Sequence, residues 1–191
     1  MTQPTPRLAA VTGRFQPFHR DHLELVEHAM TLADAVVIGI TNPDERSRIA
    51  DETSAHRHTD AANPFSYFDR QRIVRAALLS AGFAPDTFTI VPFPLDQPQV
   101  WGDYIPTHAV QIVRTFSPWE HRKVSLLKDG GYPVEVLAGD SATRIHATEV
   151  RRAITGGQPW EHWVPEGAAA VLRTIVRPAP ADESQTKEST G

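Results

Sequence analysis

Apolar positions along this chain switch between the period of a strand and the period of a helix. Leu8 to Thr12 is a short apolar run of strand length. Leu23, Val26, Met30 and Ala33 follow at spacings of three and four, which predicts a helix over 20–33. Asp34 to Thr41, DAVVIGIT, reads as a strand buried on both faces. A polar stretch, 42–63, comes next. Ser66 then predicts a helix cap and Gly82 the end of that helix. Phe88 to Phe93 predicts a third strand, with Pro92 near its end. Residues 103–114 hold a short helix and a strand that ends near Phe116. Ser117-Pro118-Trp119-Glu120 combines a capping serine, proline at the first helical position and an acid three residues after the cap. Gly130-Gly131 ends that helix. Tyr132 to Leu137 is the next strand, and helices near 148–155 and 165–175 complete the pattern.

Strands that alternate with helices predict an α/β fold: a doubly wound parallel sheet over 7–176, with right-handed crossovers. Ligands of such sheets bind beyond the carboxyl ends of the strands, where the strand order switches. Residues 1–6 read as a flexible lead-in. The tail 177–191 is polar and proline-rich with little to bury, so it is expected to be disordered.

Composition narrows the function classes. The chain has 191 residues, 40% apolar and 22% charged, enough for one domain with a core. A net charge of -4 gives no general reason to expect a nucleic-acid partner. Without cysteine, disulfides and thiolate metal sites are excluded. No apolar run reaches membrane-spanning length and the N-terminus lacks a signal peptide's apolar core, so a cytoplasmic protein is expected.

Two short stretches carry the candidate chemistry. GRFQPFHRDH, residues 13–22, lies between the first strand and the first helix. Backbone N–H groups and the helix dipole favour an anion there. Gly13 lets a ligand approach the backbone, Arg14 can fork onto phosphate oxygens, and His19 and His22 share one side of the first turn. Two imidazoles so placed can donate to a phosphate as its charge shifts. The stretch lacks the lysine of a Walker A loop and the glycine spacing of GxGxxG. Further on, residues 146–152 form a helix start in which Thr148 offers a hydroxyl and Arg151 lies on the same face, suited to the β- and γ-phosphates of a nucleotide. In isolation, TEVRR reads as an ordinary solvated helix face.

GRFQPFHRDH resembles the GRFQPFHxGH string of the archaeal-type nicotinamide mononucleotide adenylyltransferases, members of the HxGH nucleotidylyltransferase superfamily. Asn63 to Arg70 resembles that family's NPFTAGER segment, Thr148 to Arg152 its SGTE(I/V)RR motif, and Gln158 to Glu166 its closing DW..LVPE string. The resemblance implies a Rossmann-like fold and a reaction that transfers a nucleotidyl group from a nucleoside triphosphate to a phosphorylated acceptor, releasing pyrophosphate. It implies His19, His22, Arg14 and Arg151 as catalytic residues. Gly13, Phe15, Asp21, His146 and Thr148 complete the nucleotide-binding set. ATP and nicotinamide mononucleotide are the leading substrates, giving NAD, with Mg2+ carried on the triphosphate. No carboxylate cluster resembles a metal cage, so no protein-only metal site is expected. The family often assembles, which implies a homo-oligomer.

The chain departs from that pattern mainly on the acceptor side. Asp21 replaces the motif's second glycine, and two readings stand: an acid that complements the helix dipole, or a reader of base or ribose that alters nucleotide choice. Pro98 replaces the asparagine of an Asn-x-x-Trp segment that reads the nicotinamide carboxamide. Trp101 keeps an aromatic wall there or packs in the core, and Gln99 or Gln97 takes over from the asparagine. Ala62 stands where an arginine is expected, with Arg57 or His58 of the loop 44–62 able to reach in. That loop is either a lid or plain solvated chain. His146 and Ala147 replace the serine and glycine of the second motif, whose pattern Ser141 to Arg144 also mimics. These changes make CTP and another small phosphate or phosphonate acceptor the rival within the class. A nucleotide-binding regulator without catalysis is the rival outside it. An aminoacyl-tRNA synthetase fragment ranks last, because no lysine-rich signature loop and no basic tRNA-binding domain is present.

Overall fold

The computed structural model describes residues 7–47 and 59–176. The expectations for 1–6, for 177–191, and for Arg57 and His58 lie outside those residues, as does much of the loop 44–62.

Five strands form one sheet: β1 (Leu8–Gly13), β2 (Ala35–Ile40), β3 (Phe88–Pro92), β4 (Val110–Thr115) and β5 (Val134–Ala138). All neighbours are parallel and the order is β3-β2-β1-β4-β5. This is the expected doubly wound α/β sheet. Its order reverses at β1, so the switch lies between β1 and β4.

Alternate strand residues serve opposite faces. Ala9, Val11, Val36, Ile38 and Ile112 point to a core shared with helices α1 (Arg20–Leu32), α2 (Tyr67–Ser80), α5 (Ala147–Thr155) and α6 (Glu166–Ile175). Ala10, Val37 and Val113 point to a second core with α3 (Trp101–Tyr104) and α4 (Pro118–Asp129). Ser66 caps α2 by accepting the Asp69 N–H at 3.1 Å, and Gly82 turns the chain away at φ 89°. Among the described residues, no helix is long and apolar enough to cross a membrane.

Three local expectations change. The Ser117 hydroxyl does not cap α4; it donates to the Glu120 carboxylate, which in turn holds Arg144. The strand predicted from Tyr132 begins at Val134, because the Tyr132 N–H still closes the α4 terminus on Leu127 O (3.1 Å). The Tyr132 ring drops into the second core, its hydroxyl on Ile105 O at 2.7 Å. The helix expected within 103–114 starts earlier, at Trp101, after a single turn over Pro98–Val100.

β1 and β2 pair over their full lengths, Leu8 with Ala35 through Gly13 with Ile40. β1 and β4 pair only at Ala9–Val110 and Ala10–Gln111. Beyond Ala10 the two strands part, and the functional crevice opens in that gap.

Candidate active site

A cavity of about 360 Å³ sits over the gap. The structure brings to it Gly13, Arg14, Phe15, His19, Asp21, His22, His146, Thr148 and Arg151, two stretches more than a hundred residues apart in sequence. Both α1 and α5 present their N-terminal ends to it, so two helix dipoles favour an anion there.

The turn after β1 is held from several sides. Phe15 adopts φ 51° and its ring folds back over Gly13, where a Cβ would lie 2.7 Å from the Phe15 ring. The Gln16 side chain exchanges two hydrogen bonds with the Phe65 backbone, at 2.9 and 3.0 Å. Arg70, buried in α2, donates to the carbonyls of Arg14, Thr41 and Asn42 at 2.7–3.0 Å. NPFSYFDR therefore acts on the site as scaffold: it fixes the backbone from which Arg14 projects. The Arg14 guanidinium donates to Ala62 O at 3.4 Å.

His19 caps α1 from an extended conformation (φ -130°, ψ 179°). Its backbone N–H donates to His22 Nδ1 at 3.2 Å, and the two rings lie 3.6 Å apart, tilted by 31°. Because Nδ1 of His22 accepts, a neutral His22 carries its proton on Nε2. Burial lowers His19 from its ordinary pKa to about 3, with the charges of Arg144 and His146 adding. Burial also pushes His22 well below its ordinary value, helped by His19, Lys123 and Arg144. Both shifts favour the neutral imidazole at neutral pH, a form that keeps one N–H to donate.

The second motif is tied to the first. Arg151 donates to Gln16 O at 2.7 Å and to the Thr148 hydroxyl at 3.1 Å. Asp21 Oδ2 accepts the Ile145 N–H at 2.8 Å, which joins the first turn of α1 to the loop before α5. Burial raises the Asp21 pKa, and that same N–H opposes the shift. Asp21 thus lies in the first turn of α1, as the helix-dipole reading expects, lines the cavity, and adds a third contact that straps the two motifs together.

The acceptor-side expectations fare differently. Trp101 is 1% exposed and does not line the cavity. Its ring stacks on Phe93 at 5.2 Å, its Nε1–H donates to Pro94 O at 2.8 Å, and it belongs to the second core. The aromatic wall expected of it is replaced by core packing: the turn at Pro98–Val100 delivers the indole inward, where its apolar area and its N–H are both satisfied. Gln99 is exposed on that turn and lines no part of the cavity. Arg57 lies outside the described residues.

Several cavity residues escaped the sequence reading. Lys123 on α4, Arg114 on β4, and Arg144 with Glu120 all line it. Arg144 lies 4.3 Å over the Phe116 ring and pairs with Glu120 at 3.0 Å. Arg114 pairs with Glu24 at 3.0 Å. No short motif announces Lys123, Arg114 or Glu120, and Arg144 shows only in the run Ser141 to Arg144 that mimics the second motif. The one available signal was position, since β4 and the start of α4 border the switch point.

Comparison with known proteins follows the same lines. A family model described as cytidylyltransferase-like matches residues 10–153. The chain is 34% identical over 163 residues to a phosphonoformate cytidylyltransferase from Streptomyces viridochromogenes, covering 85% of this chain and 89% of that protein. It is 29% identical over 164 residues to a nicotinamide-nucleotide adenylyltransferase from Pyrococcus horikoshii, covering 85% and 81%. Among solved structures it is similar to a bifunctional NMN adenylyltransferase/ADP ribose pyrophosphatase from Francisella tularensis, complexed with AMP and a manganese ion. The TM-score there is 0.63, with 18% identity over 90% of this chain. This chain spans about half (49%) of that one, and the likeness concerns the fold.

Proposed function

Because this chain belongs to the cytidylyltransferase-like family and is a nucleotidylyltransferase, we propose that its leading substrates are ATP and nicotinamide mononucleotide, giving NAD and pyrophosphate. The observation that carries this reading is the convergence of both motifs and two helix N-termini on one cavity. In the proposed step, a phosphate oxygen of the acceptor attacks the α-phosphorus of the triphosphate. The bond from that phosphorus to the bridging oxygen of the β-phosphate breaks, and pyrophosphate leaves with the electron pair. No covalent enzyme intermediate is formed.

The roles divide by position. His19 and His22 donate to the α-phosphoryl oxygens as charge builds in the transition state. Arg151 and Thr148, with His146, grip the β- and γ-phosphates, while Arg14 bridges donor and acceptor phosphates. Gly13 and Phe15 shape the backbone that the nucleotide approaches. Asp21 holds the two motifs in register. The cavity's polar side chains are mostly cations, imidazoles and hydroxyls; of its two carboxylates, Asp21 accepts the Ile145 N–H and Glu120 holds Arg144. Such a set fits phosphate anions, so Mg2+ is proposed to arrive on the triphosphate, where it neutralises phosphate charge. The proposal includes a cytoplasmic enzyme that assembles as a homo-oligomer and has no nucleic-acid or membrane partner.

A second reading keeps the chemistry and changes the substrates: CTP with a small phosphonate or phosphate acceptor. It is favoured by the burial of Trp101 and by proline at position 98, the two positions at which recognition of a nicotinamide was expected. The phosphonoformate cytidylyltransferase relative supports it.

Pyrophosphate release tests both. With Mg2+, ATP and nicotinamide mononucleotide, turnover that His19→Ala abolishes supports the leading reading. Turnover confined to CTP with phosphonoformate moves the assignment to the second. ATP or CTP binding without release, over a broad acceptor panel, would instead support a non-catalytic regulator.

A further inference from the structure

Five Lys and Arg side chains line the cavity against two carboxylates, Asp21 and Glu120. Cations that share one crevice repel each other, and an anion placed among them relieves the repulsion. Arg144 is the one held from three sides. Its neighbour Ile145 gives its N–H to Asp21 at 2.8 Å, which ties the backbone to α1. Its side chain runs the other way, and Nη2 pairs with Glu120 of α4 at 3.0 Å. That carboxylate is 9% exposed, and its second oxygen accepts the Ser117 hydroxyl. The guanidinium lies 4.3 Å over the Phe116 ring, which in turn rests against Gly139, where a Cβ would have no room. A planar fork fixed in this way keeps its orientation, so little of its freedom remains to be lost on meeting a ligand.

Its place in the crevice identifies the group it serves. Arg144 also lines a second cavity, of about 460 Å³, which shares Asp21, Arg114 and Phe116 with the first. The rest of that lining includes the apolar Leu137 and Ala138 and the acids Glu24 and Asp140. Apolar atoms and carboxylates suit the uncharged part of a nucleotide and disfavour its phosphates. Arg151 and Thr148, the proposed grip on the β- and γ-phosphates, line only the first cavity. The charge of Arg144 reaches both His19 and His22, the pair proposed for the α-phosphoryl group. The phosphate between that pair and the uncharged end of the nucleotide is the α-phosphate. A guanidinium carries five N–H donors, and the pair with Glu120 runs through Nη2.

We propose that Arg144 is a further donor-binding residue, presented by Glu120 and Phe116 to the α-phosphate of the nucleoside triphosphate at the junction of the two cavities. Glu120 is its positioning residue and orients the fork from α4. The arginine transfers no proton; its charge and its N–H groups hold the α-phosphate beside the histidines. This assignment rests on the nucleotidyl-transfer reading above.

The test is calorimetric binding to wild type, Arg144→Gln and Glu120→Gln. The probes are ATP and CTP with Mg2+, the monophosphates AMP and CMP, and inorganic pyrophosphate. For the nucleotide that wild type binds more tightly, Arg144→Gln is expected to raise the Kd of the triphosphate about tenfold or more, and that of its monophosphate by a similar factor. Pyrophosphate, which has no α-phosphate, is expected to stay within about twofold. Glu120→Gln keeps the cation and is expected to hold all three within about threefold. An arginine that only fastens its loop to α4 would make the two variants alike, since either one breaks the same ion pair, and that result overturns the proposal. So does an Arg144→Gln that weakens pyrophosphate and spares the monophosphate, which would move the arginine to the β- and γ-phosphates. Should Arg144→Gln fail to fold, Arg144→Lys decides: a monophosphate weakened severalfold with pyrophosphate unchanged supports the role, and an unchanged monophosphate overturns it. Triphosphate binding without pyrophosphate release from any pair overturns the transfer reading alone, because the binding comparison still decides Arg144. Wild type that binds neither ATP nor CTP overturns both.

Discussion

The two flanks of β1 are built for different purposes. On the β4 side, Lys123, Arg144 and Arg151 face the crevice beside two neutral imidazoles, each held by backbone contacts or ion pairs. On the β3 side, the turn at Pro98–Val100 sends Trp101 into the core and leaves Gln99 exposed, away from the cavity. In the proposed reading, the β4 side holds the donor's phosphates, and the departures at Pro98 and Trp101 fall on the acceptor side. On that reading, transfer and acceptor choice depend on different loops at the carboxyl edge.

The sharpest way to break this contrast is at Trp101. If it belongs to the core, Trp101→Ala lowers unfolding stability by about 3–5 kcal/mol in denaturant titrations. Trp101→Phe keeps the stacking on Phe93 and leaves the acceptor KM near wild type. A well-folded Trp101→Phe with an acceptor KM raised tenfold or more would return the indole to the acceptor site.

On the donor flank, His19→Ala is expected to reduce kcat by about 10²–10³-fold, the magnitude of losing one preorganised transition-state donor. Circular dichroism of the folded variant separates this loss from misfolding.

The histidines also set an acid limit. Their folded pKa values lie below the unfolded value of 6.5, with His19 at about 3. Between those values the unfolded chain binds more protons than the folded one. Stability is therefore complete above about pH 6.5 and falls as pH drops toward 3, by up to about 1.4 kcal/mol per pH unit for each histidine. Unfolding of His19→Gln measured from pH 7 to 4 should show a shallower acid limb than wild type. An equal slope would mean that His19 does not bear the burial penalty.

Asp21 gives the smallest effect. Asp21→Gly removes the acceptor of the Ile145 N–H, worth about 1 kcal/mol, and should raise the triphosphate KM several-fold with kcat nearly unchanged. Faster hydrogen exchange at the Ile145 amide would report the loosened strap. A reversed ATP/CTP preference would make Asp21 a reader of the nucleotide after all.

What the sequence disclosed follows from how locally each feature is encoded. The sheet was legible because buried parallel strands read as unbroken apolar runs, and the helix starts because Ser66 and Pro118 mark them. The two motifs were legible because each holds its chemistry within a few residues. Lys123 was invisible: nothing in PWEHRKVSLL distinguishes it from its neighbour Arg122, and only the fold brings it to the cavity. Trp101 was legible only as two alternatives, for the mirror-image reason. An indole suits a ligand wall and a core equally well, and the backbone path from Pro98 decides between them. Asp21 showed as an anomaly in its motif, but its partner lies 124 residues away.

The central claim is a nucleotidyl-transfer frame built from the two motifs, with an acceptor flank that lacks the family's asparagine at position 98. It is tested most directly by crossing ATP and CTP with nicotinamide mononucleotide and phosphonoformate and measuring kcat/KM for pyrophosphate release in wild type and His19→Ala. The account predicts turnover with at least one pair, an acceptor dependence that Trp101→Phe leaves untouched, and loss of every activity in His19→Ala. Turnover that survives in His19→Ala, or triphosphate binding with no release from any pair, would contradict it.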